Sequence, residues 1–152
     1  MANGVSGTRG SSSSFSALGV SVVDSIDESL FKSQSSYAQK LAHNMNHMSA
    51  PGELKLKYTK GDNTAYAYID PEDGTLFDIV STGGGAGTDL LIKIMQNQQS
   101  RGHGMNWIAE TKSAQKYYDN KLGLSKYGVG KEDRYYNIPA ADMAEVIKKL
   151  KK

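Results

Sequence analysis

From Leu54 onward, apolar and polar positions alternate with a period of two. Leu54, Leu56 and Tyr58 are separated by Lys55 and Lys57, and Ala65, Ala67 and Ile69 by Tyr66 and Tyr68. A strand sends successive side chains to opposite faces, so each run predicts a strand. Gly61-Asp62-Asn63 supplies a turn between them, and Pro71-Glu72-Asp73-Gly74 a second one before Leu76-Phe77-Asp78-Ile79-Val80. Turn chemistry this close between strands predicts three consecutive antiparallel strands. Upstream the period lengthens: Leu30, Ala38, Leu41, Met45 and Met48 fall at helical spacings. They predict one helix, capped by Ser25 or Asp27, running to about Met48 and ended by Pro51-Gly52.

Downstream, Thr88 to Ser100 predicts a helix with Leu90, Leu91, Ile94 and Met95 on one side, closed by Arg101-Gly102-His103-Gly104. Met105 to Ala109 is apolar apart from Asn106, as a strand covered on both faces would be. Ser113 is expected to begin a helix through about Lys121, and Leu122–Tyr127 and Arg134–Ile138 to be final strands. Pro139 then opens a last helix with Met143, Val146, Ile147 and Leu150 on its apolar face. This order predicts an α+β fold with a mixed, mostly antiparallel central sheet flanked by helices.

Length and composition narrow the picture. A chain of 152 residues has room for one domain with a real core. The Ser/Gly-rich start, with Ser11-Ser12-Ser13-Ser14, buries too little to offset the entropy of ordering it. Residues 1–24 are therefore expected to be a flexible arm and residues 25–152 a single domain. A net charge of +2 does not announce nucleic acid or an anionic membrane as a partner. Lys148, Lys149, Lys151 and Lys152 suit the C-terminal end of a helix dipole. The absence of cysteine excludes thiol nucleophiles, thiolate metal sites and disulfides. No apolar run approaches the roughly 20 residues of a membrane span, and no apolar leader is visible. A cytoplasmic protein is expected.

The candidate chemistry begins at Gly83-Gly84-Gly85-Ala86-Gly87, four glycines in five residues between a strand and a helix. Without Cβ atoms, backbone N–H groups can converge there, and the helix N-terminus adds partial positive charge. Such a turn favours a phosphate or pyrophosphate. A flexible linker needs neither the apolar strand before it nor the amphipathic helix after it. Three antiparallel strands upstream disfavour a dinucleotide-binding βαβ unit. Thr88-Asp89 after Gly87 lacks the Lys of the other common phosphate loop.

Thr82-Gly83-Gly84-Gly85-Ala86-Gly87 resembles the Gln/Arg-x-x-Gly-x-Gly/Ala turn of the GNAT superfamily of acetyltransferases, with Thr82 in the Gln/Arg position. Thr88-Asp89-Leu90-Leu91 looks like the family's continuation. Ser113 to Leu124, with Tyr117-Tyr118 and Gly123, resembles its later Ala-x-x-Phe-Tyr-x-x-x-Gly-Phe segment, one residue longer between Tyr118 and Gly123. The resemblance spans about Leu54 to Tyr136. It implies an acyl-CoA N-acyltransferase fold and acetyl transfer from acetyl-CoA, as cosubstrate, to an amine, without a metal. Backbone groups at Ile79, Val80 and Ser81 would hold the pantetheine and carbonyl, on a strand splaying away from Met105–Ala109. Gly83, Gly84, Gly85, Ala86, Gly87 and Thr88 would take the pyrophosphate. Tyr118 would be the general acid, with Tyr117 a substitute, and a phenol with a pKa near 10 suits a proton donor to a thiolate. Asp78 and Glu110 are the candidate bases.

The acceptor implied is an amine of a protein, an aminoacyl-tRNA or a small molecule, and the oligomeric state, a homodimer included, stays open. A different class of reading is a non-catalytic GNAT-like module that docks a partner protein. Thr82, the short loop after Val80, and a front of the fold with only one helix and a weak Phe15–Val23 segment favour it. His43 and His47 are four residues apart and share a helix face, as two zinc ligands could. Asn44-Met45-Asn46 between them lacks the Glu of a zinc protease helix, and no third ligand is evident. They read as a polar helix face. His103 has no partner for a catalytic triad.

Overall fold

The computed structural model describes residues 15–151. A seven-stranded sheet forms its centre, in the spatial order β1-β2-β3-β4-β5-β7-β6. Strands β1 (Ser21–Val23), β2 (Leu54–Lys60), β3 (Asn63–Asp70) and β4 (Thr75–Ser81) form an antiparallel meander. Strands β5 (Met105–Ala109), β6 (Gly128–Val129) and β7 (Arg134–Ile138) form the other half, and β4 meets β5 in parallel. This is the α+β class expected, with a mixed and mostly antiparallel sheet.

Helices cover both faces. Helix α1 (Ser36–His47) packs on one side, where Phe31, Ala42 and Met45 bury Tyr66, Tyr68 and Val80. Helices α2 (Ala86–Ser100) and α4 (Met143–Leu150) cover the other face. There Leu90, Leu91, Ile94, Val146 and Ile147 join Ala65, Ala67 and Ile69 in the main core. The alternation read in β3 thus separates two buried faces, not a buried and a wet one. Helix α3 (Lys112–Lys116) continues into a π turn, Tyr117–Lys121, beside β5 and β7.

The structure departs from the sequence reading in four places. The single first helix is two elements. Asp27 caps only a short turn, Glu28–Phe31, by accepting from Ser29 N–H, and Ser35 caps α1 by accepting from Ala38 N–H at 3.1 Å. Two capping side chains eight residues apart divide the helix. Leu30 consequently leaves the apolar face and is 37% exposed, while Phe31 is fully buried. Leu122–Tyr127 is not a strand: Gly123 turns at φ 67° and Ser125–Tyr127 forms a 3-10 turn before the two-residue β6. The last helix starts at Met143, after a 3-10 turn at Ala140–Asp142 that Pro139 precedes.

The fourth departure concerns the expected arm. Residues 1–14 of it lie outside the described residues, but the chain belongs to the domain from Phe15. Phe15 is fully buried, Val20 is 2% exposed, and Ser21–Val23 pairs with β2. Among the described residues, no helix is long and apolar enough to cross a membrane.

Candidate functional site: the seam between β4 and β5

Strand β5 pairs with β7 along its whole length, from Met105↔Ile138 to Ala109↔Arg134. With β4 it holds one registered pair, Thr75↔Asn106. Asn106 fastens that point: its N–H donates to Gly74 O at 2.8 Å and its Nδ2 to Asp73 O at 3.3 Å. Beyond it, among the described residues, the β4 edge toward β5 has no strand partner. A bulge adds to this. The β3–β4 register steps from Tyr68↔Asp78 to Ile69↔Leu76, leaving Phe77 unpaired. Bulges bend a strand and re-aim its side chains.

The seam holds a cleft of about 300 Å³. Thr75 to Ile79 form one wall and Asn106 to Glu110 the other; Tyr37 and Leu41 of α1, Ala114 and Tyr118 of α3 and its π turn, and Tyr135 of β7 complete it. Asp78, Glu110, Tyr118 and Ile79 are thus brought together as the sequence reading required. Burial, and then the neighbouring Glu110 carboxylate, push the Asp78 carboxyl up to about 6. Glu110 itself is exposed.

Tyr118 is positioned from behind. Asp119 accepts from Arg134 Nε at 3.0 Å and from Tyr136 OH at 2.7 Å, and Gln115 Nε2 donates to Ala109 O at 3.2 Å. These bonds fix the π turn against β5 and β7. A π turn takes one residue more than an α turn, and it accommodates the longer Tyr118–Gly123 spacing. The Tyr118 ring packs between Trp107 at 5.2 Å and Tyr136 at 5.3 Å. Its hydroxyl has no hydrogen-bond partner among the described residues. Burial first, and then nearby phenols and Asp78, push it well above the usual tyrosine value. The expected unperturbed phenol is corrected to one that stays neutral. Tyr117 is occupied elsewhere: its hydroxyl lies 2.6 Å from Thr88 Oγ1 and ties the π turn to the start of α2.

The glycine turn follows β4 directly. Gly83, Gly84 and Gly85 have φ of 123°, 63° and 81°, a left-handed run that side chains disfavour. A Cβ on Gly84 would lie 2.2 Å from Asn63 Nδ2, so a side chain there would have to displace the Asn63 amide that Thr82 holds. Thr82 closes the turn onto the β2–β3 hairpin, accepting from Thr64 N–H at 3.0 Å and donating to Asn63 Oδ1 at 2.9 Å. Two of the expected phosphate donors are used internally: Gly83 N–H donates to Ser81 Oγ, and Ala86 N–H to Gly83 O. Among the described residues, the N–H groups of Gly84, Gly85, Gly87 and Thr88 remain unpaired, as the first turn of a helix leaves them. Val80 does not face the cleft; it is buried against the α1 side.

Sequence reasoning missed Lys60. Its Nζ would lie 3.3 Å from a Cβ on Gly85 and pairs with Asp89 at 3.0 Å, placing a cation over the turn. It also missed Tyr37, Tyr135 and Asn63, whose roles depend on pairings that no local pattern encodes. No protein-family model matches the chain, and no curated protein or solved structure matches it either.

Proposed function

We propose that the protein is an acetyl-CoA-dependent N-acetyltransferase of the GNAT type, acting on an amine of a protein, an aminoacyl-tRNA or a small molecule. The observation that carries this reading is the parted β4–β5 seam, which runs from a cleft holding Asp78 and Tyr118 toward a glycine turn with unpaired N–H groups. The residues fit an acyl-CoA. Gly84, Gly85, Gly87 and Thr88 would donate to a pyrophosphate, and Lys60 adds positive charge beside them. The free edge of β4 at Ile79–Ser81 would receive the pantetheine arm. When bound, acetyl-CoA supplies a thioester-activated acetyl group.

Within this reading, Asp78 takes a proton from the incoming ammonium, since a carboxylate titrating at about 6 is a base near neutral pH. Glu110 adds negative charge at the mouth, which favours a cationic acceptor. Tyr118, neutral and without a partner, donates a hydrogen bond toward the departing sulfur. Trp107, Ala114 and the Tyr118 ring exclude water from that end of the cleft.

Calorimetric titration with acetyl-CoA tests the proposal. Micromolar binding that Gly87→Glu or Gly85→Glu abolishes is expected, with thermal melts showing that the variants remain folded. No heat of binding at millimolar acetyl-CoA would overturn it.

A further inference from the structure

The polar face of α1 holds a second constellation, away from the cleft. His43 and His47 lie one helical turn apart, with ring centroids 4.4 Å from each other. The third residue, invisible in the helix spacing, is Glu28 on the turn before α1. His43 Nδ1 is 2.9 Å from Glu28 Oε1, and one ligand atom from each of the three residues falls within 4.8 Å of the others. We propose that Glu28, His43 and His47 form a binding site for a late first-row divalent cation of the Zn2+ type.

Distance supports the site. Tetrahedral bonds of about 2.0–2.1 Å place ligand atoms roughly 3.4 Å apart. Closing from 4.8 Å to that value is a movement of about 1.4 Å, within reach of rotamer adjustments by exposed side chains. The 2.9 Å contact of His43 Nδ1 with Glu28 Oε1 is a hydrogen bond, which a bound ion would replace.

Two of the ligands are oriented from behind. Asn46 Nδ2 donates to Glu28 Oε2 at 2.8 Å, leaving Oε1 toward the histidines, and Asn46 is itself held through Ile26 N–H, which donates to its Oδ1 at 2.7 Å. His47 Nδ1 lies 2.9 Å from the His43 carbonyl oxygen, which can only accept. The proton is therefore on Nδ1, and Nε2 carries the lone pair a metal requires.

The donor set also selects the ion. Two imidazoles and one carboxylate suit Zn2+ and its neighbours, whereas Ca2+ and Mg2+ take oxygen ligands. A bound ion would fasten the Glu28–Phe31 turn to α1, the helix whose Tyr37 and Leu41 reach the cleft. The site does not depend on the acetyltransferase reading.

The test is calorimetric titration of ZnCl2 into the tag-free, EDTA-treated full chain. One ion per chain is expected. His47→Ala and Glu28→Gln should each weaken binding by about tenfold or more, while His103→Ala leaves it unchanged. Zn2+ should raise the Tm of the parent protein and not that of His47→Ala, and excess Mg2+ should not displace it. Circular dichroism checks that the variants fold; all three substituted side chains are at least partly exposed. Absence of saturable binding, or binding that both His47→Ala and Glu28→Gln retain, would overturn the proposal.

Discussion

The two edges of β5 differ. Toward β7 every residue has a registered partner, and the side chains close ranks above the paired backbone: Trp107 stacks on Tyr136 at 5.5 Å, and the Tyr136 hydroxyl bonds Asp119. Toward β4 one pair is made, and the strands part. On the closed edge the strand ladder and the Tyr136 hydroxyl find protein partners, while the buried Trp107 indole N–H is left without one among the described residues. On the open edge Tyr118 OH has none among the described residues, and Asp78 is pushed toward neutrality. The contrast teaches that the same short strand closes the sheet on one side and leaves it open on the other, because only the unpaired edge leaves backbone groups without a strand partner among the described residues.

Substitutions on the two edges should therefore fail differently, and the largest effect belongs to the closed one. Trp107→Ala removes a fully packed ring and is predicted to cost about 3–5 kcal/mol in chemical denaturation. A loss well under 1 kcal/mol would mean that the closed edge does not hold the fold. On the open edge, Asp78→Asn should lower turnover by about 100-fold while leaving the melting temperature intact or raised. Parent kcat/KM should rise with pH through about 6, and the variant should lose that limb.

Stability supplies an independent sign. A carboxyl raised from 3.8 to about 6 favours the folded state when protonated. That contribution is complete below 3.8 and is lost as pH rises through about 6. The parent minus Asp78→Asn difference in stability should therefore fall across this window, and a rise would contradict the burial argument. Tyr118→Phe removes one neutral hydrogen bond, worth about 1 kcal/mol, and should reduce kcat by roughly fivefold with acetyl-CoA affinity nearly unchanged. Equal turnover would exclude Tyr118 from the reaction. The smallest effect is expected from Lys60→Met: acetyl-CoA affinity should fall a few-fold, about 0.2–1 kcal/mol, since Lys60 is half exposed and already paired with Asp89.

The closed and open edges were unequally legible in the sequence. The hairpins of β2, β3 and β4 announce themselves through period-two alternation and turn residues, and the glycine run marks the end of β4. Both signals are local. The parting of β4 from β5 was expected only through the family resemblance and is not local: it depends on Asn106 holding Gly74 and on the bulge at Phe77, and neither leaves a pattern in the residues around it. Similarly, Ser25 and Asp27 are the capping types read for one long helix, but that Ser35 starts α1 depends on Phe31 burying against Tyr66. Lys60 and Glu28 reach their sites from other elements, so spacing could not reveal them. Tyr118 lines the cleft, and its raised phenol reflects burial by the Trp107 and Tyr136 rings that close around it.

The central claim is that the open edge of β4 and the turn beyond it receive acetyl-CoA. Amide-resolved NMR during an acetyl-CoA titration tests it most directly. The account predicts that the largest shifts fall on the N–H groups of Gly84, Gly85, Gly87 and Thr88 and along Ile79–Ser81, with β7 and the outer face of α1 unmoved. Saturating acetyl-CoA that leaves those amides in place, or shifts confined to other elements, would contradict it.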